Sequence, residues 1–187
     1  MLKKQIFVVA LIILLLFSCS KDGSKTQEIT PANITFIMGD IQFKTVDGSW
    51  EAAEMGTGIS KGDMVKSGAG SFCDIQVGDA SVFRVKENTE IAMKNLYYDH
   101  ATGQENSRIK ISVGKLLVKP KKLLKTSSFE VETPSAVCGV RGTKFMIEAS
   151  EDSTTKIVVS EGKVKVRKRI AAIDDKPIEE QSAEELK

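Results

Sequence analysis

The chain is poor in the residues that do chemistry. Its 187 residues include one histidine, His100, one tryptophan, Trp50, two tyrosines and three cysteines. Nucleophilic catalysis needs a base beside a serine or cysteine. His100 sits in LYYDHATGQENS, a polar stretch with Gly103 and Asn106 that reads as an exposed hairpin tip, with Tyr97 and Tyr98 as a small aromatic contact patch. Metal sites need Cys, His or carboxylates gathered at ligand spacing. Cys73 and Cys138 are far apart in apolar settings, and no D-x-D-x-D-G loop occurs. The expectation is a protein that is not an enzyme and needs no cofactor or metal. An excess of one charge is lacking too. Lys and Arg number 27 against 25 Asp and Glu. Removing a leader that carries Lys3 and Lys4 leaves the two signs balanced. Nucleic-acid affinity rests largely on neutralised phosphates, so a nucleic-acid partner is not expected.

Long hydrophobic runs are absent except at the start. MLKKQIFVVALIILLLFSCS has two lysines, an apolar run from Ile6 to Phe17, then Ser18 and Cys19. Spanning a bilayer as a helix takes roughly 20 apolar residues, so this run suits the core of a signal peptide rather than an anchor. Its end, Leu16-Phe17-Ser18-Cys19, resembles a bacterial lipobox, although Phe17 departs from the small or polar residue usual there. The resemblance implies cleavage after residue 18 and acylation of Cys19. Two or three acyl chains give lasting membrane attachment where one is marginal. Residues 19–33, SKDGSKTQEITPAN and the cysteine before it, then read as a polar, flexible tether.

From Ile34 to Arg169 apolar residues alternate over short runs. Ile41 and Phe43 share a face, as do Cys73, Ile75 and Val77. Phe83 and Val85 follow, then Ile91 and Met93. Ile109, Ile111 and Val113 make another set, then Phe129 and Val131, Phe145 and Ile147, Ile157 and Val159, and Val164 and Val166. Period two over four to eight residues predicts half-buried strands. Glycine turns separate them, at Asp47-Gly48, Gly62-Asp63, Gly78-Asp79 and Glu161-Gly162. The fold class is all-β, one domain over 34–169, in a sandwich or a short β-solenoid-like arrangement. Residues 170–187 are acidic, with Asp174, Asp175, Glu179, Glu180, Glu184 and Glu185, and read as disordered or a short helix. Cys73 shares its face with Ile75 and Val77. That favours a buried free thiol, with a Cys73–Cys138 disulfide left open.

One segment invites a catalytic reading: Thr133-Pro134-x-Ala136-x-x-Gly139-Val140-Arg141-Gly142-Thr143-x-Phe145. A phosphate loop requires G-x-x-x-x-G-K-S/T before a helix, and GVRGTK has neither the spacing nor the helix. Thr133-Pro134 ends a strand, since proline cannot donate to a central ladder. Gly139 and Gly142 permit a tight reversal or close backbone approach. Arg141 offers a planar fork that ties loops through carbonyls or a carboxylate, or meets a partner. Thr143 to Ile147, with Phe145, resumes the strand pattern.

Several such motifs occur in order. Gly39-Asp40-Ile41 comes first, then Trp50 with Gly56 and Lys61-Gly62-Asp63. Gly78-Asp79-Ala80-Ser81 follows, then Asn88-Thr89-Glu90-Ile91, Ser112-Val113-Gly114-Lys115-Leu116, the Thr133–Phe145 segment and Glu161-Gly162-Lys163-Val164. Together they are similar to the FecR-like domain family, named for an iron-citrate transport regulator of bacterial envelopes. The resemblance covers nearly all of the folded part. Regulators of that family carry a cytoplasmic segment that handles a sigma factor and then a membrane-spanning helix. With residues 1–18 alone before Cys19, neither is expected, and transcriptional signalling does not carry over by name.

Two basic runs remain. Lys115, Lys119, Lys121, Lys122 and Lys125 form one; Lys163, Lys165, Arg167, Lys168 and Arg169 form the other. Each is a solvated face, or a contact for anionic headgroups or cell-wall polymer. The functional expectation is a lipid-anchored scaffolding or interaction module. It would sit in the cell envelope, at the outer membrane facing the periplasm, with an envelope protein or cell-wall polymer as partner. The alternatives are a surface adhesin and a ligand sensor relaying to a separate regulator.

Overall fold

The computed structural model describes residues 32–79, 81–120 and 124–176. The signal segment, Cys19, Lys121, Lys122 and the acidic residues beyond 176 lie outside the described residues. Strand pairing begins at Ala32, inside the segment expected as tether.

Fourteen strands follow in chain order: β1 (Ala32–Met38), β2 (Ile41–Lys44), β3 (Glu51–Ala52), β4 (Gly58–Ile59), β5 (Met64–Ser67), β6 (Phe72–Val77) and β7 (Ser81–Val85), then β8 (Thr89–Asp99), β9 (Gln104–Pro120), β10 (Ser128–Glu132), β11 (Ala136–Val140), β12 (Lys144–Ala149), β13 (Thr155–Glu161) and β14 (Val164–Lys168). One short helix, α1 (Ala171–Asp174), follows them among the described residues. The strands form one curled sheet in two layers. One layer runs β4-β1-β6-β7-β9-β12-β13. The other runs β3-β2-β5-β8-β9-β10-β11-β14. All pairings are antiparallel except β9 with β10. Of the two expected arrangements, the folded-over sandwich is the one adopted.

β9 belongs to both layers. Its first half, Gln104 to Val113, pairs with β8. Its second half, from Gly114, pairs with β12 and then β7. The strand bends at Gly114, where φ is +103°. A Cβ there would lie 2.3 Å from Thr89 Oγ1 and 2.6 Å from the Asn88 carbonyl oxygen, so only glycine fits. The bend shifts the alternation by one residue. Glu105, Ser107, Ile109 and Ile111 face the core before it, and Leu116 and Val118 after it. Val113, expected on the face of Ile109 and Ile111, lies at the shift and is only half-buried.

The layers close on Phe83 and Phe129, whose rings sit 6.3 Å apart across the interior. Ile34, Ile75, Ile91, Phe145 and Ile147 are fully buried around them. Each such side chain contributes about 1.5–3 kcal/mol of burial free energy. Cys73 and Cys138 are buried free thiols. Burial, with Asp74 adding, pushes Cys73 up to about 12, and burial pushes Cys138 up to about 11. Neither is a reactive thiolate at neutral pH.

The two lateral margins differ. On one side the layers end in the two-residue strands β3 and β4. On the other they end in the longer β13 and β14. Val159 and Val166, expected to be half-buried, are 44% and 55% exposed, on strands that no further strand among the described residues flanks.

Candidate functional site

The Thr133–Phe145 segment builds the β10–β11 hairpin and the corner leading into β12. Thr133 is fully buried and its hydroxyl organises the hairpin turn. Oγ1 accepts the Ala136 amide at 2.9 Å and shares a 2.7 Å hydrogen bond with Thr155 Oγ1 in the facing layer. Pro134 occupies a turn position where no amide donor is needed. Phe145 is core, opposite Val118.

At the corner, Gly142 has φ +62°, in the left-handed region. Thr143 is fully buried, and its Oγ1 donates to the Lys163 carbonyl at 2.7 Å and accepts the Lys163 amide at 3.3 Å. The β11–β12 corner is thereby fastened to the β13–β14 corner. Gly162, at φ +92°, leaves room for the Thr143 hydroxyl.

Gly139 is different. It was expected to serve a reversal or a close approach, and the reversal is made by Gly142 alone. Gly139 lies inside β11, opposite Glu130 on one side and Lys165 on the other. A Cβ added there would meet nothing within 4 Å. Neither backbone conformation nor crowding requires glycine, although glycine weakens a strand interior by roughly 0.5–1 kcal/mol. Its bareness forms the floor of a cleft of about 600 Å³ on the outer face of the layer.

Charge around this cleft is one-sided. Arg141, Lys163 and Lys165 line it and are exposed. The one acidic residue lining it, Glu130, is held by Arg108 through Nη2 at 2.6 Å and Nε at 2.8 Å. Among the described residues no carboxylate pairs with Arg141, Lys163 or Lys165. Arg141 Nη2 donates to the Lys125 carbonyl at 2.7 Å, tying the loop before β10 to the corner. That contact is exposed and leaves most of the guanidinium toward solvent.

The second basic run therefore divides. Lys163 and Lys165 face the cleft. Arg167 binds Asp174 through both nitrogens, at 2.9 and 2.5 Å, and Arg169 binds Glu132 at 2.6 Å and Asp175 at 2.5 Å. These pairs strap residues 169–175 across the outer face of β10 and β11. Asp174, expected in an unstructured or frayed tail, is buried, and the Arg167 hydrogen bonds hold its carboxyl below the usual range. In the first run, Lys115 pairs with Glu148 at 3.2 Å.

The remaining candidates stay apart from this site. His100 is exposed in the β8–β9 turn, its ring edge-on to Tyr98 at 4.9 Å. Tyr97 is 49% exposed, while Tyr98 packs against the core and over Gly78. Among the described residues no group of three His, Cys, Asp or Glu is gathered to hold a metal ion.

The family profile described as FecR protein matches residues 63–165, more than half of the chain and all of the cleft-forming strands except the end of β14. The chain belongs to the FecR family. No match is found among curated proteins or among solved structures. FecR proteins are envelope-associated. In this FecR domain the motif splits into two kinds of residue. Thr133, Gly142, Thr143 and Phe145 hold the fold, while Gly139 and Arg141 shape a surface. Sequence reading marked both glycines but could not separate them, because only the register of β11 shows that one has space above it. Among the described residues no helix is long and apolar enough to cross a membrane.

Proposed function

We propose that this FecR protein is a non-enzymatic interaction module, held at an envelope membrane by acyl chains on Cys19 and presenting the Gly139 cleft to a partner in the envelope. The observation that carries the reading is the cleft itself, an open floor where glycine has no structural duty, lined by three cations that have no carboxylate partner among the described residues. Tethering raises the local concentration of such a surface toward the millimolar range, so modest affinity suffices. Family membership supports the envelope setting. The outer membrane facing the periplasm is the placement favoured by Ser20, which does not resemble the aspartate that follows the lipid-bearing cysteine of lipoproteins kept at the inner membrane.

Metabolic labelling with a fatty-acid analogue tests the anchor. Cys19→Ala should lose the label and leave the membrane fraction, and retained labelling would overturn the anchoring. A photo-crosslinker at Arg141 in growing cells should capture an envelope component. Protease treatment of intact and permeabilised cells separates periplasmic placement from display on the surface, where digestion would occur without permeabilisation.

A further inference from the structure

We infer that the Gly139 cleft is a binding site for an extended acidic peptide, one that carries carboxylates at alternate positions. The inference rests on the interaction reading above and adds the chemistry of the ligand. Three features point to it. First, Gly139 sits between Glu130 and Lys165 in register, so a trough runs above β11 between the side chains of β10 and β14. A bare glycine inside a strand marks a place where another backbone approaches closely. Second, Lys163, in the corner just before β14, and Lys165, inside it, both line the cleft, and extended chain spaces positions two residues apart at about 7 Å. Carboxylates two residues apart on an extended peptide have the same spacing, whereas a lone phosphate cannot span it. Third, Arg141 stands at the corner end of the trough, and its planar fork suits a carboxylate bound through two oxygens. The other end is closed by the strap at Arg167 and Asp174. Glu130, already held by Arg108, does not cancel the three cations.

The test is fluorescence anisotropy with the full chain in detergent micelles. The probe is a fluorescein-labelled alternating Glu-Thr octapeptide, with an alternating Lys-Thr octapeptide as control. The acidic probe should bind with Kd below about 1 mM, weaken in high salt, and be ignored in its basic form. At position 139 a Cβ meets nothing within 4 Å, so Gly139→Leu places its side chain in the trough and should weaken binding at least about tenfold, the loss of about 1.4 kcal/mol, without lowering Tm. Lys165→Glu, a surface change that spares the fold, should weaken it too, and Arg141→Ala by about 2- to 5-fold. Equal binding by wild type and Gly139→Leu, or no binding of the acidic probe, would overturn the inference. So would a preference for polyphosphate over the peptide, which would make the ligand a phosphate polymer. The anchoring and crosslinking results do not depend on these outcomes, so a failed peptide leaves the interaction reading to its own tests.

Discussion

The hydroxyl of Thr143 donates to the Lys163 carbonyl at 2.7 Å and accepts the Lys163 amide at 3.3 Å. One side chain thereby satisfies both backbone groups of a residue 20 positions later. Two of the corners at which the chain changes layers, β11–β12 and β13–β14, become one unit. Lys163 is also a wall of the cleft, so its position depends on this fastening.

Thr143→Val keeps the shape and removes the hydroxyl in a fully buried site. The Lys163 amide and carbonyl then lose their side-chain partner, at a cost of about 1–3 kcal/mol. Urea unfolding should show a lower midpoint with an unchanged slope, and Thr143→Ser should recover most of the loss. A valine variant as stable as the parent would show that water replaces the hydroxyl.

Much of this fold is legible in the sequence, and the exceptions have physical reasons. Alternation marks Cys73, Ile75 and Val77, or Phe145 and Ile147, because each strand is buried on one face only. It cannot reveal that Val159 and Val166 sit on uncovered edges, since exposure there depends on which strands fail to pair. The one-residue shift at Gly114 is visible in the sequence once Leu116 and Val118 are set against Ile109 and Ile111, yet only the paired layers give it meaning. At the cleft, Gly139 and Arg141 are readable as motif residues. The pairing of Arg167 and Arg169 with Asp174, Glu132 and Asp175 is not, because two members of a five-residue basic run are set aside only once the chain after β14 turns back and Glu132 is brought beside it.

Glu105 was hidden for a related reason. Its place in QENSRIKIS puts it on the same face as Ile109 and Ile111, and it is fully buried. Ser81 donates to its Oε2 at 2.6 Å and Ser107 to its Oε1 at 2.8 Å. These partners are hydroxyls, and burial raises the carboxyl above its ordinary value despite both hydrogen bonds. A group with a raised folded pKa binds its proton more tightly in the native state than in the unfolded one. Its contribution is therefore fully present below the ordinary glutamate value of about 4.3 and is lost as pH rises through the folded value. Glu105→Gln keeps the shape and one of the two acceptor oxygens without the charge, and a serine hydroxyl can turn to accept from the amide nitrogen. It should be more stable than the parent at pH 7 to 8, with the gap closing toward pH 4 in thermal melts at matched ionic strength. A gap that is constant across this range would show that Glu105 stays ionised in the folded protein.

Arg169 and Glu132 decide whether the strap holds. Glu132 is fully buried on the outer face of β10, and Arg169 Nε reaches its Oε1 at 2.6 Å. Its other oxygen, Oε2, has no hydrogen-bond partner among the described residues. The side chain of Arg169 is only 11% exposed and also holds Asp175. Removing one member of a buried ion pair strands the other charge, which typically costs about 3–5 kcal/mol. Arg169→Met should therefore destabilise the domain strongly, with hydrogen exchange rising first at residues 170–176. Replacing both partners by apolar residues of similar size, Arg169→Met with Glu132→Leu, removes the stranded charge as well. The double variant should regain most of the lost stability, because the orphaned Oε2 shows that burial of this carboxylate is incompletely compensated even in the parent. Exchange at 170–176 in the double variant then reports what the contacts of Asp174 with Arg167 and of Asp175 with Lys94 contribute without Arg169. If the single and double variants are equally destabilised, the strap owes its position to the guanidinium of Arg169 itself rather than to neutralising Glu132.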